Sequence, residues 1–164
     1  MRAVQLRDIV TDEDRARALA VRRGPGQDRF VPSVDESFAD ALEAPEACPR
    51  CWTVHHGDEV VGFVMISDGV PAATMESDPT LVGPYFLWRL LIDERHQRHG
   101  YGTATLDALV DYLRERPDAI ELLTSCAPGA GTPQPFYERY GFVPTGRIVE
   151  DEVVLRLDLS EADR

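Results

Sequence analysis

WRLLIDERHQRHGYGTATLDALVDYL, the stretch from Trp88 to Leu113, decides the fold of this chain. It begins inside an apolar run, Tyr85 to Ile92, whose aromatic and branched side chains read as a buried strand. The run ends in Asp93-Glu94-Arg95, and Gln97-Arg98-His99-Gly100-Tyr101-Gly102 follows. Leu106, Leu109, Val110 and Leu113 then recur at i, i+3, i+4 and i+7, the spacing of a helix with one buried face. Thr103 and Thr105 lie near its start, and Pro117 stops it.

Strand, glycine turn and helix together make an anion cradle. The first helical turn has free N–H groups at the positive end of the peptide dipoles. Gly100 and Gly102 carry no Cβ, so a ligand can approach the backbone, and phosphate is the natural occupant. Arg98 adds a cation suited to phosphate oxygens. A Walker loop needs a lysine after its second glycine, and the chain has none. A dinucleotide fingerprint needs a third glycine where Thr105 or Leu106 stands. Gln97, Gly100 and Gly102, after a strand and opening a helix, resemble the pyrophosphate loop of the GNAT N-acetyltransferase superfamily, [QR]-x-x-G-x-[GA].

The rest of the chain bounds the reading. Its 164 residues fit one domain over 1–164. No apolar run is long enough to span a bilayer, and the N-terminus lacks a signal-peptide pattern, so cytoplasm is expected. The 17 basic residues, all arginine, against 29 acidic ones leave a net charge of −12. Such a surface disfavours nucleic acid and anionic membranes as partners and mildly favours a cationic substrate. Three cysteines, an odd number, argue against a disulfide framework. Cys48-Pro49-Arg50-Cys51 with His55-His56 lacks the second half of a zinc site and opens a strand, so free thiols and no metal are expected.

In chain order, Val4 and Leu6 begin a short strand, and Thr11 or Asp12 caps a helix through Leu19. Ser33 caps a second helix with Glu36 three residues on, a capping-box pattern, and Phe38, Ala41 and Leu42 are expected to face inward. Cys51 to His55 and Glu59 to Ile66 read as a hairpin. Asp68 to Val82 reads as a loop. Ile120 to Thr124 reads as a strand parallel to Tyr85–Ile92, and Glu152 to Leu159 as a last strand before a frayed tail, Ser160 to Arg164.

Pro135 to Gly146, PFYERYGFVPTG, is the second informative stretch. Phe136-Tyr137-x-x-x-Gly141-Phe142 resembles the closing helix–strand motif of GNAT enzymes, in the right order and at a fitting separation. Leu87 to Asp93, with Gln97 to Gly102 and Val154 to Leu159, is most similar to the spermine/spermidine or diamine acetyltransferase-like branch. The resemblance implies an α/β fold with a mixed, mostly antiparallel sheet of six to seven strands. One parallel pair would splay at the cofactor site, and about four helices would flank the sheet. Where many relatives carry a cofactor-contacting Asn, seven residues before Tyr137, this chain has Ala130.

The activity so implied is direct transfer of acetyl from acetyl-CoA to a primary amine. The resemblance assigns cofactor contacts to Leu91, Ile92, Gln97, Arg98, His99, Gly100, Tyr101, Gly102, Thr103, Ser125 and Tyr137. The Ile92 N–H would stabilise the oxyanion and Tyr137 would protonate the leaving thiolate. Tyr137 also reads as a packing aromatic. Glu36, Glu76 and Asp78 are candidates to collect the amine or relay its proton, and each also reads as a solvated carboxylate. Arg89, inside an apolar strand, either pairs with a buried acid or lines the acceptor site. His96 and His99 flank the loop as phosphate contacts or as a solvated turn. The acceptor is expected to be a small amine such as a polyamine. An antibiotic amine, a protein N-terminus or a non-catalytic acyl-CoA sensor are the alternatives. A homodimer is expected by analogy with the superfamily.

Overall fold

The computed structural model describes residues 3–160. In chain order its elements are β1 Gln5–Asp8, α1 Asp12–Leu19, α2 Val34–Glu43, β2 Pro49–His56, β3 Glu59–Asp68 and α3 Ala72–Ser77. There follow β4 Tyr85–Ile92, α4 Tyr101–Arg114, β5 Glu121–Cys126, α5 Gln134–Tyr140, β6 Val143–Val149 and β7 Glu152–Asp158. The strands form one mixed sheet in the order β1-β2-β3-β4-β5-β7-β6. Every neighbouring pair is antiparallel except β4 and β5. This is the expected architecture, with one helix more than expected.

Two apolar layers sandwich the sheet. Phe63, Met65 and Leu91 pack with Ala18, Val21, Val34 and Phe38 beneath α1 and α2. Val64, Ile66 and Leu87 pack with Leu106, Leu109 and Leu113 of α4 on the other face. β3 is therefore buried on both faces, which is why its sequence is continuously apolar rather than alternating.

β4 changes phase in its middle. Leu87 and Leu91 are four residues apart, which in a regular strand puts them on one face. They lie on opposite faces, because a β-bulge between the Leu87 and Arg89 pairings inserts Trp88 as an extra residue. Leu90 and Ile92 consequently face α4. Parallel pairing with β5 is confined to Phe86 opposite Leu123 and Leu87 opposite Thr124, so it ends where the bulge begins and the two strands part beyond it.

Four local expectations are corrected. Leu42 is 80% exposed, and the inward face of α2 is Val34, Ser37 and Phe38. The segment 68–82 contains the short helix α3 rather than loop alone. Ile120 precedes β5 and is exposed. Ser33 caps α2 by accepting the Glu36 N–H, while the reciprocal capping box belongs to Thr11 and Asp14 at α1. Of the expected tail, residues 161–164 lie outside the described residues.

Candidate active site

The gap between β4 and β5 opens a cleft of about 500 Å³, lined by Leu90 and Ile92 on one side, Phe136 and Tyr137 on another, and the 97–103 turn at its end. The helix entrance has the geometry of an anion cradle. Gly100 is the N-cap of α4 with φ +84, and no side chain caps the helix there. The first helical bond inside runs from the Ala104 N–H to the Gly100 carbonyl, so the amides of Gly102 and Thr103 have no partner within the helix. A Cβ on Gly100 would meet nothing, whereas one on Gly102 would come within 3.1 Å of the Phe136 ring. Gly100 thus keeps the cradle open, and Gly102 lets α5 close over it.

Beneath the cradle a carboxylate fixes the turn. Asp93 is fully buried and accepts the Arg95 N–H at 2.9 Å, the Arg95 Nε at 2.8 Å and the Arg22 N–H at 3.0 Å. Burial opposes its charge, but these hydrogen bonds outweigh it and hold the carboxyl below its ordinary range.

The expected cofactor residues between Leu91 and Thr103 are used in three ways. Ile92, Gln97, Arg98, Gly100, Tyr101, Gly102 and Thr103 line the cleft. The Tyr101 ring is buried against His56, His96 and His99. Gln97 and His99 spend their side chains on the turn itself. Gln97 Nε2 donates to the Ile92 carbonyl at 3.0 Å and to Gln27 Oε1 at 2.9 Å. His99 Nδ1 hydrogen bonds the Gln97 carbonyl at 2.7 Å, and His96 pairs with Glu59. Leu91 turns away, its side chain in the core beneath α1 and α2, and Leu90 takes its place in the cleft.

Ile92 presents its amide to the gap. The Asp93 N–H donates to the Val61 carbonyl at 2.9 Å, so alternation along β4 turns the Ile92 N–H toward the opposite edge, where β5 has parted. This close approach of β3 and β4 requires Gly62, where a Cβ would stand 2.6 Å from the Leu91 carbonyl oxygen.

Tyr137, 7% exposed, stacks edge-on with Phe136 and Phe142 and lines both the cleft and a second cavity of about 100 Å³. Burial pushes its phenol well above the ordinary range, with Cys126 adding and a Thr124 hydrogen bond opposing. Phe30, Val31, Trp88, Thr124 and Ser125 complete the small cavity. Trp88, whose Nε1 donates to Ser67 Oγ at 2.6 Å, also borders a third cavity of about 240 Å³ with Glu46, Asp78, Arg89 and Glu150.

The acids expected to collect the amine are not brought to these cavities together. Glu36 is exposed on α2, Glu76 is exposed on α3, and neither lines a described cavity. Asp78 does reach the third cavity. Arg89 lines it too and pairs with Asp40 at 2.8 Å, an acid that is only partly covered. Ser125 donates to Glu152 Oε1 at 2.7 Å. Ala130 is exposed and has no polar side chain, while Gly131 beside it packs on the Phe30 ring. Cys48, Cys51 and Cys126 are free thiols, and burial pushes Cys51 up to about 11 despite the opposing charge of Arg89. Sequence reasoning missed Gln27, Phe30 and Glu152. Only the tight turn of acids at 150–152 between two strands offered a local signal.

Comparison with known proteins agrees with this geometry. The sequence pattern of the "Acetyltransferase (GNAT) family" matches residues 6–142. The chain is 28% identical over 139 residues to the spermine/spermidine N(1)-acetyltransferase of Bacillus subtilis (strain 168), covering 85% of this chain and 88% of that one. Aminoglycoside acetyltransferase AAC(6')-Ib in complex with coenzyme A superposes with TM-score 0.71 at 18% identity, covering 95% of each chain. The ribosomal-protein-S18-alanine N-acetyltransferase of Escherichia coli gives TM-score 0.63 at 18% identity, covering 97% of this chain and 96% of that one. At such identity the two structures speak for the fold alone. With the pattern spanning most of its length and the splayed sheet in place, the chain belongs to the acetyltransferase (GNAT) family and is an N-acetyltransferase.

Proposed function

We propose that this enzyme uses acetyl-CoA to acetylate a small cationic primary amine, such as a polyamine. One observation carries the reading: an uncapped helix N-terminus and a buried tyrosine share one cleft, at the gap between two parallel strands. The amides of Gly102 and Thr103, with Arg98, would hold the pyrophosphate. Acetyl-CoA supplies an activated thioester carbonyl. The Ile92 N–H stabilises charge growing on its oxygen, a contribution of about 3 kcal/mol for a preorganised donor. Tyr137 keeps its proton through neutral pH because burial penalises the phenolate, and the same burial penalises the thiolate that receives that proton.

The small amine is favoured over a protein N-terminus by the confinement of the 100 Å³ cavity under Phe30 and Trp88. Cationic character is favoured by Glu46, Asp78 and Glu150 in the cavity beyond, and by the net charge of −12. A cytoplasmic location and pairing of two copies along the exposed edge strand β6 belong to the same reading. The decisive assay is thiol release from acetyl-CoA with spermidine, diamines, aminoglycosides and a short peptide amine. Polyamines and diamines are expected to give the highest kcat/KM. Preference for the peptide would overturn the acceptor assignment. Tight coenzyme A binding with no turnover on any amine would overturn the reading itself.

A further inference from the structure

Amine acetylation has a proton problem that Tyr137 does not solve. The acceptor arrives as an ammonium ion, and its nitrogen must lose a proton before it can attack. The carboxylates expected for this task, Glu36 and Glu76, face solvent away from the cavities. Asp40 is committed to Arg89, and Asp78 accepts from the Thr80 hydroxyl and amide.

The C-terminal hairpin supplies a different group. Glu152 begins β7, and Ser125 lies on β5 diagonally opposite it, beside the Ser125–Val154 pair. Glu152 is partly covered, and among the described residues no arginine or histidine pairs with its carboxylate. It accepts the Ser125 hydroxyl proton at 2.7 Å. Because that proton points to Glu152, the lone pairs of Ser125 Oγ are free to accept from an ammonium in the small cavity that Ser125, Thr124 and Tyr137 line together. The nearby thiol does not compete as a base. Burial, with the charges of Glu152 and Glu138, holds Cys126 up to about 12.

We infer that Ser125 and Glu152 form the proton exit for the acceptor amine, with Ser125 touching the nitrogen and Glu152 acting through it as a positioning base. The inference rests on the transferase reading above. The ammonium N–H proton passes to Ser125 Oγ as the serine's own proton passes to Glu152 Oε1. This leaves a neutral amine, an intact serine and a protonated glutamic acid. After attack, Tyr137 protonates the leaving sulfur, the nitrogen's second surplus proton passes to the Tyr137 phenolate so formed, and Glu152 returns its proton to water. The glutamate comes from the strand next to β5, where its backbone is held by the sheet, rather than from a loop.

The test compares Glu152→Gln, Ser125→Ala and Asp151→Asn with the unmutated enzyme. Thiol release from acetyl-CoA with spermidine is followed from pH 6 to pH 10, and acetyl-CoA binding is measured by calorimetry to certify folding. In Glu152→Gln the amide oxygen can still accept from Ser125, but the side chain takes up no proton. The expected result is a fall in kcat of about 100-fold at pH 7 for Glu152→Gln, closing as pH approaches the amine's own ionisation, with acetyl-CoA affinity unchanged. Ser125→Ala should share that profile. Asp151→Asn, which removes the neighbouring exposed charge, should behave as the unmutated enzyme. A Glu152→Gln variant within about twofold of normal, or a deficit equal at every pH, overturns the inference while leaving the transferase reading intact. An unmutated enzyme that binds acetyl-CoA and acetylates none of the amines overturns both.

Discussion

The cleft and the small cavity beside it are made of different material. The side proposed to hold the cofactor is backbone: amides at the start of α4, a strand amide at Ile92, and glycines that keep side chains out of the way. The side proposed for the acceptor, the small cavity beside the cleft, is side chain: Phe30 and Val31 from the segment between α1 and α2, Trp88 from the β4 bulge, and Ser125 from β5 with Glu152 of β7 behind it. A backbone site must be written locally, because consecutive residues set the turn that aims consecutive amides. A side-chain site is assembled from segments distant in the chain, and only the sheet order brings them together.

Tyr137 stands at the junction, and its replacement gives the largest expected effect. Tyr137→Phe keeps the ring contacts with Phe136 and Phe142 and deletes one hydroxyl. Steady-state kinetics should show kcat lowered by about 100- to 1,000-fold, with KM for both substrates within about threefold of normal. A large rise in either KM would instead assign the hydroxyl to binding on that side.

This division explains what was legible in the sequence. Tyr85–Ile92 as a strand, Gly100 as the start of α4, and the Leu106-Leu109-Val110-Leu113 face all follow from patterns contained within a few residues. The register of the sheet, the bulge at Trp88 and the phase change that sends Leu91 into the core do not, since each depends on a partner strand. Glu36 and Glu76 read from sequence as acids that could collect the amine, but which way a helical carboxylate faces is settled by the packing opposite. Leu42 shows the same effect in reverse. It sits eight residues after Val34, where a wide apolar stripe would still count it, yet the contact with β3 and β4 is narrow and uses only Val34, Ser37 and Phe38, with Ala41 at its margin.

A matched pair of substitutions separates the two sides. Gly100→Val puts a β-branched residue at φ +84, a strain of about 2 kcal/mol, and thrusts its side chain into open space at the cradle. KM for acetyl-CoA should rise about 30-fold while KM for the amine changes little. Phe30→Ala removes the ring that packs against Gly131 over the small cavity. There the amine KM should rise about tenfold, with acetyl-CoA affinity, read by calorimetry, preserved. If each variant shifts both substrates equally, the sides are one cooperative unit.

Gln97 is the place where that independence is least secure. It opens the glycine turn, yet its amide is spent inside the protein, joining the Ile92 carbonyl to Gln27 Oε1, which in turn accepts the Gly24 N–H at 2.6 Å. It therefore braces the cofactor turn against the segment that delivers Phe30. Gln97→Leu keeps the volume and deletes both donated bonds, leaving two acceptors without them, a loss of about 1–2 kcal/mol. Shared between the two walls, this should raise both KM values by a similar factor of about five and lower kcat less, with a fall in thermal midpoint read in the same preparation. A rise confined to acetyl-CoA would mean that the brace serves the turn alone. The acceptor wall would then be held by its own contacts, such as Phe30 on Gly131 and Trp88 on Ser67.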